Sequence, residues 1–389
     1  MPSAKSNTEI TIKGITWGHS RGYTPLVAAA QRFTELNPAI TITWEKRSLQ
    51  QFADYPIEEL AKVYDLLIID HPWAGAAHTN AVLPLEQYLP AEYLSDQAEN
   101  SIGFSHQSYY YGGHQWALAI DAATPVASYR ADLMKKAGAK VPGTWAEVLD
   151  LANKGRLAVP AIPIDILMNF YMFCIAHGCR PFQSQERVID PQTGEAALDT
   201  MQELYSRIDK KFFSANPIAV AEAMTATDDY WYCPFAYGYS NYAREGYAKN
   251  KLSYTDLVAF NGHRLRSTLG GTGLAISAST NHPEAAIAFA KYVCAPKTQS
   301  TLYVEHGGQP GHKQAWLGKA ANHLTDNYFF NTLPALERSY MRPRYHGYLH
   351  FQDHAGNPIQ QFLQGRQDKK STLKKVEDIY AQSLKKEPA

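Results

Sequence analysis

The first 70 residues alternate between two hydrophobic periods, and no other feature narrows the architectures open to this chain as much. "EITIKGITW" and "ITITWE" have strand spacing, "DLLIID" is a short apolar run suited to a strand buried on both faces, and "TPLVAAAQRFTELNP" and "DYPIEELAKVY" between them have helical spacing. Strand, helix, strand, helix, strand in this order implies an α/β fold with a parallel sheet, right-handed crossovers and helices on both faces. The first helix is expected to take Thr24 as N-cap and Pro25 as first helical residue, to bury Leu26, Ala30, Phe33 and Leu36, and to stop at Asn37-Pro38.

Beyond this unit, "HQWALAIDAATPVASYR" predicts a strand, a polar stop at Asp121 and another strand. Helical segments then dominate. "TWAEVLDLANKG" places Thr144 and Glu147 at capping-box spacing and closes at Gly155, and "DILMNFYMFCIAHG" and "GEAALDTMQELYSRI" follow as the helices of a second lobe. "YWYCPFAYG" predicts a strand, and "STLGGTGLAIS" another, interrupted by three glycines where the chain could bend or a ligand approach. "NHPEAAIAFAKYV" predicts a helix with Asn281 and Glu284 at box spacing, and here the chain is expected to return to the first lobe, whose sheet still lacks strands. A chain of 389 residues exceeds the size at which one core keeps growing, so two lobes are expected on length alone.

Lys+Arg and Asp+Glu balance at 37 each, which gives no sequence-wide electrostatic reason to bind nucleic acid or an anionic membrane surface. The run "DKKSTLKK" is expected to be a solvated helix face. With no apolar stretch of bilayer length and no apolar h-region in "MPSAKSNTEI", the chain is expected to be soluble and to carry no export signal as written. Four cysteines do not make a disulfide framework; Cys174 and Cys179 could bridge only if Gly178 ends the helix between them, and that pairing is left open.

In open parallel sheets, ligands bind beyond the carboxyl ends of the strands. Two turns fall there, "GHSRGY" and "DHPWAGAAH" (70–78), and between them they carry Trp17, His19, Ser20, Arg21 and Tyr23, then Asp70, His71 and Trp73. Aromatic faces stack on the C–H face of a sugar or on a planar group, and Asp, Arg and Ser supply directional hydrogen bonds. The competing reading makes Trp17 and Trp73 core residues at strand ends. Arg21 precedes a helix N-terminus, a setting that suits an anionic ligand group, or else it pairs with a surface acid.

The stretches "AAAQRFTELNPAITITWE", "YGGHQWALAIDAATPVASYRADLMKKAGAKVPGTWAEVLDLA", "CPFAYGYSNYA", "LGGTGLAISASTNHPEAAIAFAKYVCAPKTQSTLYVEHGGQPGH" and "RPRYHGYLH" resemble the extracellular solute-binding proteins of ABC transporters, the family of maltose- and other sugar-binding proteins. That resemblance implies a two-lobed, type II periplasmic-binding-protein-like fold with a ligand cleft between lobes and hinge closure. It divides the chain into 8–119 with 274–325 and 120–273 with 326–389. Carried over by position, it adds Asp121, the aromatic turn Phe235, Tyr237, Tyr239 and Asn241, Gly271 with Thr272, and Arg344 to the site; packing is the alternative for the tyrosine turn. It implies a small polar ligand, most simply a carbohydrate, with a sugar acid held by Arg21 and Arg344 as the alternative. The implied partners are ABC transporter membrane subunits, the chain being a monomer. Location would be periplasmic or extracellular, the sequence then being a mature form, with the cytoplasm as the alternative.

Two other classes have weaker support. Asp70, His71 and His19 could serve acid/base chemistry, yet no GxSxG, HExxH, Walker or dinucleotide motif occurs, so no catalytic residue and no cofactor are expected. His346, His350 and His354 recur every fourth residue, but Gly347 and "GNP" argue against an unbroken helix carrying them, so no metal site is expected.

Overall fold

A computed structural model describes residues 9–48, 56–75 and 80–385. Its principal elements in chain order are β1 (Ile10–Trp17), α1 (Ser20–Leu36), β2 (Ile40–Arg47), β3 (Leu66–Ile69), β4 (Leu118–Ala123), β5 (Pro125–Tyr129), α2 (Trp145–Asn153), α3 (Pro163–Ala176), α4 (Pro191–Tyr205), β6 (Tyr232–Tyr237), β7 (Ser253–Thr255), β8 (Gly270–Ile276), α5 (Pro283–Cys294), α6 (Tyr348–Leu363) and α7 (Lys369–Ser383). The expected helical residues 54–55, residues 76–78 of the second turn, and the outermost expected lobe residues 8 and 386–389 lie outside the described residues. The rest falls into two compact units: the chain up to Ala122 with Gly271–Ala321, and Ala123–Gly270 with Asn322 onward.

The first unit is built on a five-stranded sheet in the order β2-β1-β3-β8-β4. β1 runs parallel to β2 from Ile10↔Ile40 to Trp17↔Arg47 and parallel to β3, whereas β8 enters antiparallel, with Gly273 opposite Ile69. The sheet is therefore mixed, not wholly parallel as the opening pattern predicts. Periodicity reports which face a residue takes and says nothing about the direction of a strand that arrives from far along the chain. Leu26 and Phe33 of α1, Leu66 and Ile68 of β3, and Phe289 of α5 meet in one core, where each buried aliphatic side chain contributes about 1.5–3 kcal/mol. Phe33 meets Phe289 edge-to-face at 5.5 Å, while Leu36, expected to be buried, is exposed at the helix end.

α1 begins at Ser20, five residues ahead of the expected start, because His19 caps it: its Nδ1 accepts the Arg21 amide at 2.9 Å. Pro25 then lies inside the helix. At α5 the order of events is reversed. Pro283 supplies the preset φ of a first helical residue, the N-cap falls on His282 instead of Asn281, and no capping box forms.

The second unit holds a three-stranded antiparallel sheet, β6-β5-β7, and a helical layer. Both halves of the α2 capping box are present: Thr144 Oγ1 accepts the Glu147 amide at 3.4 Å and Glu147 Oε2 accepts the Thr144 amide at 3.0 Å. α3 is apolar on nearly every side and buried along most of its length, packed against α4 and α6. Gly178, with φ +98°, ends the turn after α3, and Cys174 and Cys179 remain free thiols, as do Cys233 and Cys294. α6 continues through Gly356 and Pro358, contrary to the expectation of a break. Pro358 cannot donate to the His354 carbonyl, and the Asn357 side-chain amide donates to that carbonyl at 3.3 Å instead. A Cβ on Gly356 would lie 2.0 Å from the Pro163 carbonyl oxygen, so glycine is what lets α6 touch the start of α3. No helix among the described residues is long and apolar enough to cross a membrane.

Candidate functional site

In the first unit, β1 and β3 are parallel neighbours and end on one edge of the sheet, at Trp17 and Ile69. β8 is antiparallel to β3, so its starting residues Gly271 and Thr272 lie on that same edge. The topology thus collects Trp17–Tyr23, Asp70–Trp73, Gly271–Thr272 and Asp121 of β4 on one side of one unit.

The expected first turn is the opening turn of α1, so Ser20, Arg21 and Tyr23 are held on a rigid helix and not on a loop. Trp17 is buried in the core, its ring against Gly22, where a Cβ would come within 2.4 Å of the indole. Packing, the competing reading for Trp17, therefore describes most of that side chain. Arg21 is buried too, its Cζ 6.0 Å from the Trp17 ring centroid. Its Nε donates to Asp121 Oδ2 at 2.9 Å and its Nη2 to Oδ1 of the same carboxylate. Asp121 is thus no polar stop: it sits within β4, fully buried, and the acid that Arg21 pairs with is this interior residue, not a surface acid. Burial pushes the Asp121 carboxyl up, and the Arg21 guanidinium opposes that push. Burial, with the Arg21 charge adding to it, lowers His19 to about 4, so this imidazole is neutral near pH 7 and suited to exchange hydrogen bonds with hydroxyl groups.

After β3, His71–Gly75 forms a short 3₁₀ turn. Asp70 Oδ1 accepts the His71 amide at 2.8 Å and lies 3.3 Å from His71 Nδ1; Asp70 is part-exposed, whereas His71 and Trp73 are buried. Gly271 has φ +94°, and a Cβ there would be 2.3 Å from the Asp121 carbonyl oxygen, so only glycine lets β8 lie this close to β4. The buried Thr272 hydroxyl has no hydrogen-bond partner among the described residues.

In the second unit, Phe235 is fully buried against Phe173 and Trp145, an aromatic core position that presents no surface to a solute. Tyr237 ends β6 half-buried, its hydroxyl 2.9 Å from Thr268 Oγ1 and its ring against Gly270. Tyr239 and Asn241 follow, both buried, and the Tyr239 carbonyl accepts the Tyr254 hydroxyl at 3.1 Å. Arg344 is half-buried in the irregular stretch 341–347 before α6.

The Gln309–Gly311 segment escaped the sequence reading of the site. Gln309 meets Ala122 through both its carbonyl and its side-chain amide, and a Cβ on Gly311 would be 2.2 Å from the Ala119 carbonyl. Its signal was the glycine-flanked "GGQPGH". Thr268, the partner of Tyr237, had no signal of its own. Among the described residues no group of three or more His, Cys, Asp or Glu could hold a metal ion. His350 and His354 share a face of α6 with ring centroids 4.3 Å apart, while His346 precedes the helix.

Several solved structures have the same fold. A maltose-bound MalE3 from T. maritima superposes with a TM-score of 0.81 at 17% identity, covering 96% of this chain and 99% of that one. The GacH receptor of Streptomyces glaucescens gives 0.79 at 17% identity over 96% and 98% of the two chains. An ABC transporter solute-binding protein from Agrobacterium radiobacter K84, in complex with ribitol, gives 0.78 at 18% identity over 97% and 100%. The fold is thus the two-lobed α/β fold of periplasmic binding proteins. The profile of one family, bacterial extracellular solute-binding proteins, matches residues 28–322. Most of the chain is covered by that match, and the chain belongs to the bacterial extracellular solute-binding protein family.

Proposed function

We propose that this chain is the solute-binding component of an ABC importer and that its ligand is a carbohydrate or polyol. The observation that carries this reading is the engagement of Arg21 by Asp121. The Arg21 charge is neutralised internally, and beside it lie a part-exposed carboxylate, a neutral imidazole and hydroxyl groups, a set suited to an uncharged polyhydroxylated solute. The likeness to proteins solved with maltose, acarbose and ribitol supports the same class. A sugar acid held by Arg21 and Arg344 is not favoured, because two Arg21 donors already face Asp121.

In this reading His19, Ser20, Tyr23, Asp70 and Thr272 of the first unit and Tyr237, Tyr239, Asn241 and Arg344 of the second are the ligand-contacting groups, with Trp17, His71 and Trp73 behind them. The protein works as a monomer outside the cytoplasm and delivers solute to the membrane subunits of the importer. Ligand contacts from both units would favour closure. Titration calorimetry across neutral sugars, polyols and small organic acids, paired with X-ray scattering, tests this. Saturable heat with a neutral sugar or polyol and a smaller radius of gyration are expected; a ligand bound without compaction, or binding confined to acids, would refute it.

A further inference from the structure

In the second unit, Arg180 and Arg266, neither of them assigned to the solute, face no acid among the described residues. Tyr340 lies between them. Its amide donates to the Ser267 carbonyl at 2.7 Å, beside Arg266, and its hydroxyl donates to the Pro181 carbonyl at 3.0 Å, beside Arg180. Arg266 Nη2 donates to the Ser339 carbonyl at 3.3 Å, the residue before Tyr340, so both guanidinium-bearing residues flank one tyrosine. Arg266 Nε is buried without a hydrogen-bond partner, and neither arginine has an ion pair among the described residues. Glu186 and Asp190, the acids that follow Arg180 in sequence, form no ion pair with it among the described residues, and Asp190 is committed to capping α4 through the Thr193 amide. Arg338, next to Ser339, is already engaged by Asp256. Burial and the Arg180 charge both depress the Arg266 guanidinium, an arrangement that carries a cost as it stands.

We propose that Arg180 and Arg266, held on either side of Tyr340, form an anion site for a tetrahedral oxyanion, either inorganic phosphate or the phosphoryl group of a small molecule. Guanidinium groups match such oxygens with paired N–H donors, and a bound dianion converts the mutual repulsion of two arginines into attraction. The proposal is independent of the carbohydrate reading, since it uses none of the residues assigned to the sugar.

The test is thermal unfolding and calorimetry of the full chain with sodium phosphate, sodium sulfate or glycerol phosphate replacing sodium chloride at constant ionic strength. Arg180→Gln touches an exposed side chain and is expected to leave the fold intact. Without oxyanion, R180Q should melt no lower than the parent protein, because repulsion is relieved. With phosphate or glycerol phosphate the parent should show a saturable upward shift, R180Q should weaken it at least tenfold in apparent Kd, and R180Q/R266Q should abolish it. Whichever probe binds tighter identifies the source of the oxyanion. An identical phosphate response in parent and R180Q, or no saturable response to any of the three, overturns the proposal.

Discussion

Arg21 and Asp121 are separated by 100 residues and joined inside the first unit by two parallel contacts, guanidinium Nε to Oδ2 at 2.9 Å and Nη2 to Oδ1. This pair ties the first turn of α1 to β4 across the sheet. Removing one partner leaves an uncompensated buried charge, so Asp121→Ala is expected to cost about 3–5 kcal/mol, whereas a double change to apolar residues, R21M/D121L, should cost less than D121A alone. Urea unfolding of the three proteins checks the ordering.

Asp165 gives the second unit a pH dependence. Its carboxyl is fully buried in the first turn of α3, Oδ2 has no partner among the described residues, Tyr205 and Cys233, which feel its charge, are neutral near pH 7, and burial raises it to about 8. The folded state therefore keeps a proton that the unfolded chain releases above about pH 4. Stability attributable to this group is full below about pH 4 and is lost as pH rises towards about 8, by up to about 1.4 kcal/mol per pH unit. Asp165→Asn should flatten that slope and stabilise the protein at pH 8, as seen in denaturation midpoints compared at pH 5 and pH 8.

Affinity and stability should separate at two aromatic and acidic positions. Asp70→Ala is expected to lose a charged hydrogen-bond partner of the solute, worth about 1.5–3 kcal/mol, or roughly 10- to 150-fold in Kd for the best sugar of the panel, with little change in melting temperature. Phe235→Leu, set among Trp145 and Phe173, should do the opposite: it lowers stability by less than about 1.5 kcal/mol and leaves Kd unchanged. Calorimetry and thermal unfolding on both variants give the comparison.

Gly271 leaves no room for a side chain. Gly271→Ala forces a Cβ onto the Asp121 carbonyl and strains a φ of +94°, of which the backbone part alone is worth about 1–3 kcal/mol. Its unfolding midpoint should fall further than that of Gly246→Ala, where φ is also positive but nothing lies within 4 Å.

The strand–helix order of the first 70 residues was legible because buried positions recur at helical spacing in α1, alternate in the first half of β1 and through most of β2, and form a short unbroken apolar run in β3. Thr144 and Glu147 were legible for the same local reason: a capping box is complete within four residues. The start of α1 was not, since His19 caps it with an imidazole nitrogen, a role that helix-start signals assign to Ser, Thr, Asp or Asn. Nor could Asp121 be distinguished from a strand terminator, because its burial depends on an arginine 100 residues earlier. The same distance in sequence hides the reversed direction of β8. At the site, residue types were legible, but depth was not: Phe235 and Trp17 are apolar by sequence and only packing shows that their rings are spent on the core.

The position of β8 between β3 and β4 has a consequence for biosynthesis. A ribosome that has passed β4 has made all the outer parts of the first sheet and none of the strand that joins them; the gap is filled only after the whole of residues 123–269 has emerged. During that interval the nascent first unit has two open strand edges and cannot reach its final stability, however well its early segments fold. The chain is thereby kept without a finished amino-terminal half until most of it has been translated, which prolongs the period in which a chaperone can still handle it unfolded.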